Sequence, residues 1–343
     1  MKALLLKNDG YAREAPKDTV LSDMKPFVEL GDLDEPAPAD GQVKIKLSLA
    51  SINPSDEMFI QGFYGIPRKS GNAAGFEGVG VVVESGGGAI ADGLKGLRVA
   101  FVAAVGVPGT WGEYSIADAA TCIPLIEGVR DEDGAAMIVN PLTALAMFDI
   151  VKEEGEKSFI VSAGASQLCK LMITAAKDEG YAPIAIVRRD SQIAPLKALG
   201  AAHVLNSESP TFMEDFRTLS KSEKPRVFLD AVSNQTSAQI FDAMPNRGRW
   251  VIYGKLDQEL PTIMQPGQLI FQSKRIEGFW LTRWMMDKPM AEKIEAIQTV
   301  QKRFSSGEWQ TDVTAIVPLS EAMEKVPAAL AELNGKVFID PSK

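Results

Sequence analysis

The chain has 343 residues, 45% of them hydrophobic and 24% charged, with 36 basic side chains against 45 acidic ones for a net charge of −9. That length predicts about two domains, each large enough to bury its own core. The acidic balance argues against nucleic acid or an anionic membrane surface as the main partner, and the two cysteines (Cys122, Cys169) and one histidine (His203) exclude a disulfide scaffold and a multi-cysteine zinc site.

Residues 1–7 are too short an apolar run for a secretory signal, and Asn8-Asp9-Gly10 ends them as a turn. No run of about 18 apolar residues occurs, so the expectation is a cytoplasmic protein without a membrane span. Residues 43–49 alternate apolar and polar with period two, the pattern of a half-buried strand, and 78–84 is a β-branched run. Gly86-Gly87-Gly88 reads as a connection to a second strand at 98–103, with no helix expected directly after it. Asp131-Glu132-Asp133 places acids where a first helical turn favours them, with helix continuing through 135–138.

From there strands and helices alternate. Strands are expected at 157–162, 182–188, 203–205, 226–232 and 249–253, with helices at 168–178, 193–199, 212–219 and 237–244 between them. Five strands separated by helices predict a doubly wound parallel sheet with right-handed crossovers. After Gln265 the alternation stops, and the tail reads as a strand at 276–280, a helix at 288–305 and a strand at 335–339. The plan is therefore discontinuous: a mostly β domain from 1–125 and 266–343, and an α/β domain from 126–265. Ligands are expected in the cleft between them, at the carboxyl ends of the parallel strands.

The first strand–turn–helix of the α/β part reads Val161-Ser162-Ala163-Gly164-Ala165-Ser166-Gln167-Leu168-Cys169-Lys170. In a dinucleotide-binding fold small residues here allow a tight turn and close approach to a pyrophosphate, with the amides of Ala165, Ser166, Gln167 and Leu168 facing the phosphates. The alternative is a plain turn with no ligand. The second strand ends at Arg188-Arg189-Asp190. Arginines at that point suit the 2′-phosphate of NADP, whereas Asp190 keeps NAD in play; solvated surface charge is the other reading. Cys169 and His203 read as packing residues.

An ordered set of motifs then carries a resemblance: Ser51-Ile52-Asn53-Pro54-Ser55-Asp56, Gln61-Gly62-Phe63-Tyr64-Gly65, Gly75-Phe76-Glu77-Gly78, Asn140-Pro141-Leu142-Thr143 and Gly248-Arg249-Trp250-Val251-Ile252-Tyr253-Gly254. The chain resembles zinc-independent members of the medium-chain dehydrogenase/reductase superfamily, in particular quinone oxidoreductases and 2-enoyl thioester reductases. The resemblance implies a GroES-like mostly-β catalytic domain beside a Rossmann-type cofactor domain. Phe76 stands where zinc-using relatives carry a histidine, which implies a metal-free enzyme.

The same resemblance implies NADPH as cofactor, with NADH possible, and hydride transfer to a C=C bond conjugated to a carbonyl in an enoyl thioester, enone or quinone. Its alternatives are a quinone oxidoreductase proper or a catalytically weak NADPH-binding sensor. Tyr64 carries over as the catalytic hydroxyl, with Asn53 and Trp111 shaping the substrate pocket. Cofactor contacts carry over to Asn140 and Thr143 near the nicotinamide, to Arg188, Arg189 and Asp190, to Tyr253 and Gly254, to Phe279, Trp280 and Leu281, and to Lys336. A small-molecule substrate and a homodimer joined at a sheet edge, with the apolar stretch 260–270 as that edge, complete the expectations.

Overall fold

The structure is a computed structural model that describes residues 1–14, 21–104, 106–263, 265–332 and 335–343. Its strands run, in chain order, β1 (Lys2–Leu6), β2 (Val28–Asp32), β3 (Gln42–Ile52), β4 (Glu77–Ser85), β5 (Arg98–Val102), β6 (Tyr114–Asp118), β7 (Ile123–Pro124), β8 (Ser158–Val161), β9 (Ala182–Val187), β10 (His203–Asn206), β11 (Val227–Asp230), β12 (Arg249–Ile252), β13 (Arg275–Gly278), β14 (Val313–Pro318) and β15 (Lys336–Asp340). The chain divides into two compact units, Met1–Asn140 with Ile297–Lys343, and Pro141–Ala296. None of the helices among the described residues is long and apolar enough to cross a membrane.

The first unit is the GroES-like one. Its seven-stranded sheet runs β14-β15-β3-β4-β5-β7, with β6 also on β3 and a separate β1-β2 ladder. In β3 the period-two pattern buries Val43, Ile45 and Leu47 against Leu4, Val99 and Phe101. The three glycines after β4 lead directly into the six-residue helix Ala89–Leu94, contrary to the expectation of a plain strand connection. Ala91 and Leu94, three apart, supply a buried edge too short to read as a helical stripe.

The second unit is Rossmann-type. Its sheet is wholly parallel in the order β10-β9-β8-β11-β12-β13, so the topology reverses between β8 and β11, where such sheets open a crevice at their carboxyl ends. Trp250 on β12 packs between Phe228, at 6.1 Å, and Phe241, at 5.4 Å.

Three features differ from the sequence pattern. The units divide at 140/141 and 296/297, where the sequence reading set 125/126 and 265/266, and β13 adds a sixth parallel strand on β12 within the second unit. A 16-residue helix, Val139–Glu154, also occupies a stretch where the residue pattern showed none and only the family resemblance implied one, opened by Asn140 and Thr143. Eight of its residues are buried, including Leu142, Ala146, Phe148 and Val151, so it shows no polar stripe of its own. The apolar stretch at 260–270 is not a strand: 267–271 is helical, residue 264 lies outside the described residues, and among the described residues the sheet ends at β10 on one edge and β13 on the other.

Candidate functional site

In the Rossmann-type unit, the turn after β8 is shaped by close approach. A Cβ on Gly164 would stand 2.8 Å from the Cβ of Ala185 on β9, so only glycine fits there. Ala163 takes a positive φ of 48° to bring the chain round. Ser166 then caps the helix Gln167–Asp178, its Oγ accepting the Cys169 amide at 3.3 Å. Ala165, Ser166 and Gln167 are half-buried at this helix start, and Leu168 is buried.

Beneath the turn lies a buried acid that no motif announced. Asp230 ends β11 with no exposure; its Oδ1 accepts the Ser162 hydroxyl at 2.6 Å and the Val232 amide at 2.9 Å, and its Oδ2 accepts the Ser233 amide at 3.1 Å and the Trp250 indole N–H at 2.9 Å. It ties β8, β11 and β12 together at the point where the sheet order reverses. The only sequence signal was an acid closing the apolar run Val-Phe-Leu. Tyr253 directs its hydroxyl to within 3.6 Å of the Cys169 Sγ, and burial raises the pKa of both groups, so both stay protonated. Tyr253 therefore braces the underside of the turn, while Gly254 is half-buried beside Ala231.

Arg188 and Arg189 follow β9 and are exposed, and neither guanidinium makes a hydrogen bond or ion pair among the described residues. Asp190 is occupied, accepting the Asn206 side-chain amide at 2.8 Å. A cavity of about 200 Å³ opens here between Asp190, Ile193, Asn206, Phe212 and Asp215. Phe279 and Leu281 are half-buried after β13, and Trp280, 40% exposed, precedes the helix Leu281–Asp287.

In the GroES-like unit, Tyr64 sits on the turn that ends the helix Pro54–Gln61. Gly62 closes that helix at φ 88°, and a Cβ there would meet the Arg68 guanidinium at 2.6 Å. Arg68 is buried, and donates to the carbonyls of Gly10 and Ile60, both at 3.0 Å, which holds the base of the turn. Tyr64 packs on Phe76, and Phe76 in turn on Phe59, with ring centroids 5.1 and 4.8 Å apart.

Asn53, Trp111 and Lys336, expected at the substrate pocket and the cofactor, are each buried, and their polar atoms bond to protein. The Trp111 indole N–H donates to the Ser51 carbonyl at 3.2 Å. Lys336 donates to the Ile52 carbonyl at 3.2 Å and to the Asn53 side-chain oxygen. The Asn53 amide donates to Glu77 at 2.9 Å. They form a buried network at the start of the helix Pro54–Gln61, whose far end leads into the Tyr64 turn. Asp56 accepts the amides of Asn53 at 2.8 Å and Phe76 at 2.9 Å, and burial pushes its carboxyl up to about 7. Asn140 and Thr143 occupy the start of the helix Val139–Glu154, half-buried and buried respectively.

Comparison with known proteins places this geometry. Residues 39–127 match the family "Alcohol dehydrogenase GroES-like domain" and 168–299 match "Zinc-binding dehydrogenase". The mitochondrial enoyl-[acyl-carrier-protein] reductase of Bos taurus is 30% identical over 299 residues, 86% of this chain and 79% of that protein. The chain belongs to the medium-chain dehydrogenase/reductase superfamily. A crystal structure from Mesorhizobium loti, of a protein provisionally assigned as an NADPH:quinone reductase, is 57% identical with a TM-score of 0.95, covering 99% of this chain and 98% of the other. The quinone oxidoreductase of Thermus thermophilus, at 24% identity and a TM-score of 0.77 over 99% of this chain and all (100%) of that one, shares the fold. Although one matched family is named for zinc, no group of three or more His, Cys, Asp or Glu side chains among the described residues is arranged to hold a metal ion.

Proposed function

We propose that this chain is an NADPH-dependent reductase that acts, without metal, on a C=C bond conjugated to a carbonyl. The observation that carries the reading is the pairing of Tyr64 with Phe76: an aromatic ring, at the position where the resemblance puts a metal-binding histidine in zinc-using relatives, supports a half-buried tyrosine on a glycine-closed turn. A phenol held there can donate a hydrogen bond or proton to the carbonyl oxygen as charge develops on it. NADPH, when bound, supplies the hydride.

The residues of the Rossmann-type unit fit that cofactor. Gly164 lets the turn pack tightly on β9, and the amides of Ala165, Gln167 and Leu168 at the helix start would face a pyrophosphate, whereas the Ser166 amide, also expected there, donates to the Ala163 carbonyl at 2.8 Å. The unpaired guanidinium groups of Arg188 and Arg189 suit the 2′-phosphate, while Asp190, engaged with Asn206, is less suited to ribose hydroxyls. Asn140, Thr143, Phe279, Trp280 and Leu281 would border the nicotinamide. Tyr253 and Gly254 act beneath the turn, and Asn53, Trp111 and Lys336 hold the start of the helix that leads into the Tyr64 turn.

The enoyl reductase of Bos taurus supports a thioester substrate, while the Mesorhizobium loti relative favours a second reading as a quinone reductase. Purified protein should oxidise NADPH in the presence of a crotonyl-type thioester, an enone or a quinone, and the panel separates the two readings. Tight NADPH binding with no turnover on any of them would replace both with a cofactor-binding sensor.

The chain is further proposed to form a homodimer. β13 bonds to β12 on one side only, and Leu260, Ile270, Phe271 and Met286, near it in sequence, are 73%, 73%, 84% and 71% exposed. A second copy of the same edge would cover both the unpaired backbone and these side chains.

A further inference from the structure

We propose that Glu77 is a positioning residue for the nicotinamide end of the cofactor site, acting as the anionic cap of the helix that begins with Val139 and carries Asn140 and Thr143. The inference rests on the reductase reading, which assigns those two side chains to the nicotinamide.

Glu77 opens β4 with 1% of its surface exposed, and all four of its hydrogen bonds are to protein. Its Oε2 accepts the amides of Ile138 at 3.2 Å and Val139 at 2.9 Å; its Oε1 accepts the Ser51 hydroxyl and the Asn53 amide, both at 2.9 Å. The helix Val139–Glu154 has no acidic residue in its own first turn, and Pro141 leaves that turn one amide short. A helix start exposes unpaired N–H groups and the positive end of its dipole, and a carboxylate answers both. Here the local sequence supplies no such group. Glu77 supplies it from 62 residues upstream.

The other oxygen of the carboxylate is held by the sheet side of the unit. Asn53, which bonds Oε1, also accepts a hydrogen bond from the Lys336 ammonium, so a cation stands one side chain away. Ser51 adds a hydroxyl donor, and its carbonyl receives the Trp111 indole N–H. The start of the helix is thereby pinned to the core of the sheet rather than to a surface loop. Four donors converge on the two oxygens. An amide in the same place would have to turn its own N–H₂ toward two of them.

The test is Glu77→Gln, read by three measurements on the full chain: amide hydrogen exchange across residues 138–143, the Kd for NADPH, and the Kd for 2′,5′-ADP, which carries the adenosine and 2′-phosphate but no nicotinamide. The expected result is loss of exchange protection confined to that segment. The NADPH Kd should weaken about tenfold, which is about 1.4 kcal/mol, and the 2′,5′-ADP Kd should stay within twofold. Equal weakening of both ligands marks a general structural role and overturns the proposal, as does a folded variant in which neither changes. If Glu77→Gln does not fold, Glu77→Asp keeps the charge but withdraws it from Ile138 and Val139, and should give the same split between the two ligands at smaller size; no split overturns the proposal there too. Wild-type protein that binds 2′,5′-ADP but not NADPH would overturn the reductase reading, a result separate from any difference between variant and wild type.

Discussion

The ring of Phe76 lies 5.1 Å from the ring of Tyr64, centroid to centroid, with the planes inclined by 42°. That packing holds the ring without using its hydroxyl, so the two roles separate by substitution. Tyr64→Phe keeps the ring contact and removes the proton donor. It should lower kcat by about 10²-fold, the lower end of what a positioned acid contributes, while leaving the NADPH Kd within twofold by fluorescence titration. An unchanged kcat would remove the hydroxyl from the chemistry.

Cofactor preference should follow the two free guanidinium groups. Replacing both Arg188 and Arg189 with Ala should weaken NADPH binding by roughly 10- to 100-fold, the scale of one or two charge-assisted hydrogen bonds. NADH, which has no 2′-phosphate, should bind as before. Parallel titrations with the two nucleotides read the ratio directly, and equal losses would place the phosphate elsewhere.

The acids in the first turn of the helix Pro54–Gln61 should make stability fall as pH rises through the weakly acidic range. Burial pushes the Glu57 carboxyl from its ordinary 4.5 up to about 7, against the opposing pull of the Leu21 amide and Lys336. An acid whose folded pKa is raised holds its proton longer in the native state, so its penalty is absent below about 4.5, grows up to about 7 and is constant above. Asp56, raised from 3.8 to about 7, adds the same sign. Glu57→Gln should therefore flatten the loss of stability between acid and neutral pH, with its gain over wild type largest near pH 8. Urea midpoints across that range supply the test; a gain confined to low pH would contradict it.

The Asp230 carboxylate gives a stability prediction in the other unit. Trp250→Phe keeps a ring between Phe228 and Phe241 but removes the N–H that meets Asp230 Oδ2 at 2.9 Å. Leaving that oxygen short of a donor should cost about 1–3 kcal/mol. Chemical denaturation measures it, and a change under about 0.5 kcal/mol would show that the remaining donors suffice.

The proposed dimer should be sensitive to charge at its most exposed aromatic residue. Phe271, 84% exposed, contributes little to the fold of its own chain, so Phe271→Glu should move the solution mass from a dimer to one 37.0 kDa chain without lowering the melting temperature. A wild-type monomer, or a variant that stays dimeric, would argue against this edge.

Local signals carried much of the architecture. The strands at 158–161, 182–187, 203–206, 227–230 and 249–252 were legible because each is a short apolar run bounded by a helix with its own stripe. The glycine turn and the two arginines were legible for the same reason, since turn geometry and charge are properties of a few adjacent residues. β13, with the sequence Arg-Ile-Glu-Gly and almost no buried side chain, carries no such signal; it is a strand because β12 offers it a partner. The helix Val139–Glu154 was hidden for the opposite reason, being apolar on most sides.

The sequence by itself determined the class of both units, the glycine turn after β8 and the poverty of metal ligands, because composition, periodicity and short motifs are written along the chain. Only the tertiary structure decided what Asn53, Trp111 and Lys336 bond to, and that Glu77 and Asp230 are buried with both carboxyl oxygens hydrogen-bonded. Their bonds join residues 283, 60, 62 and 68 positions apart. A buried polar group is satisfied by whichever donors folding brings to it, and no window of sequence contains both partners.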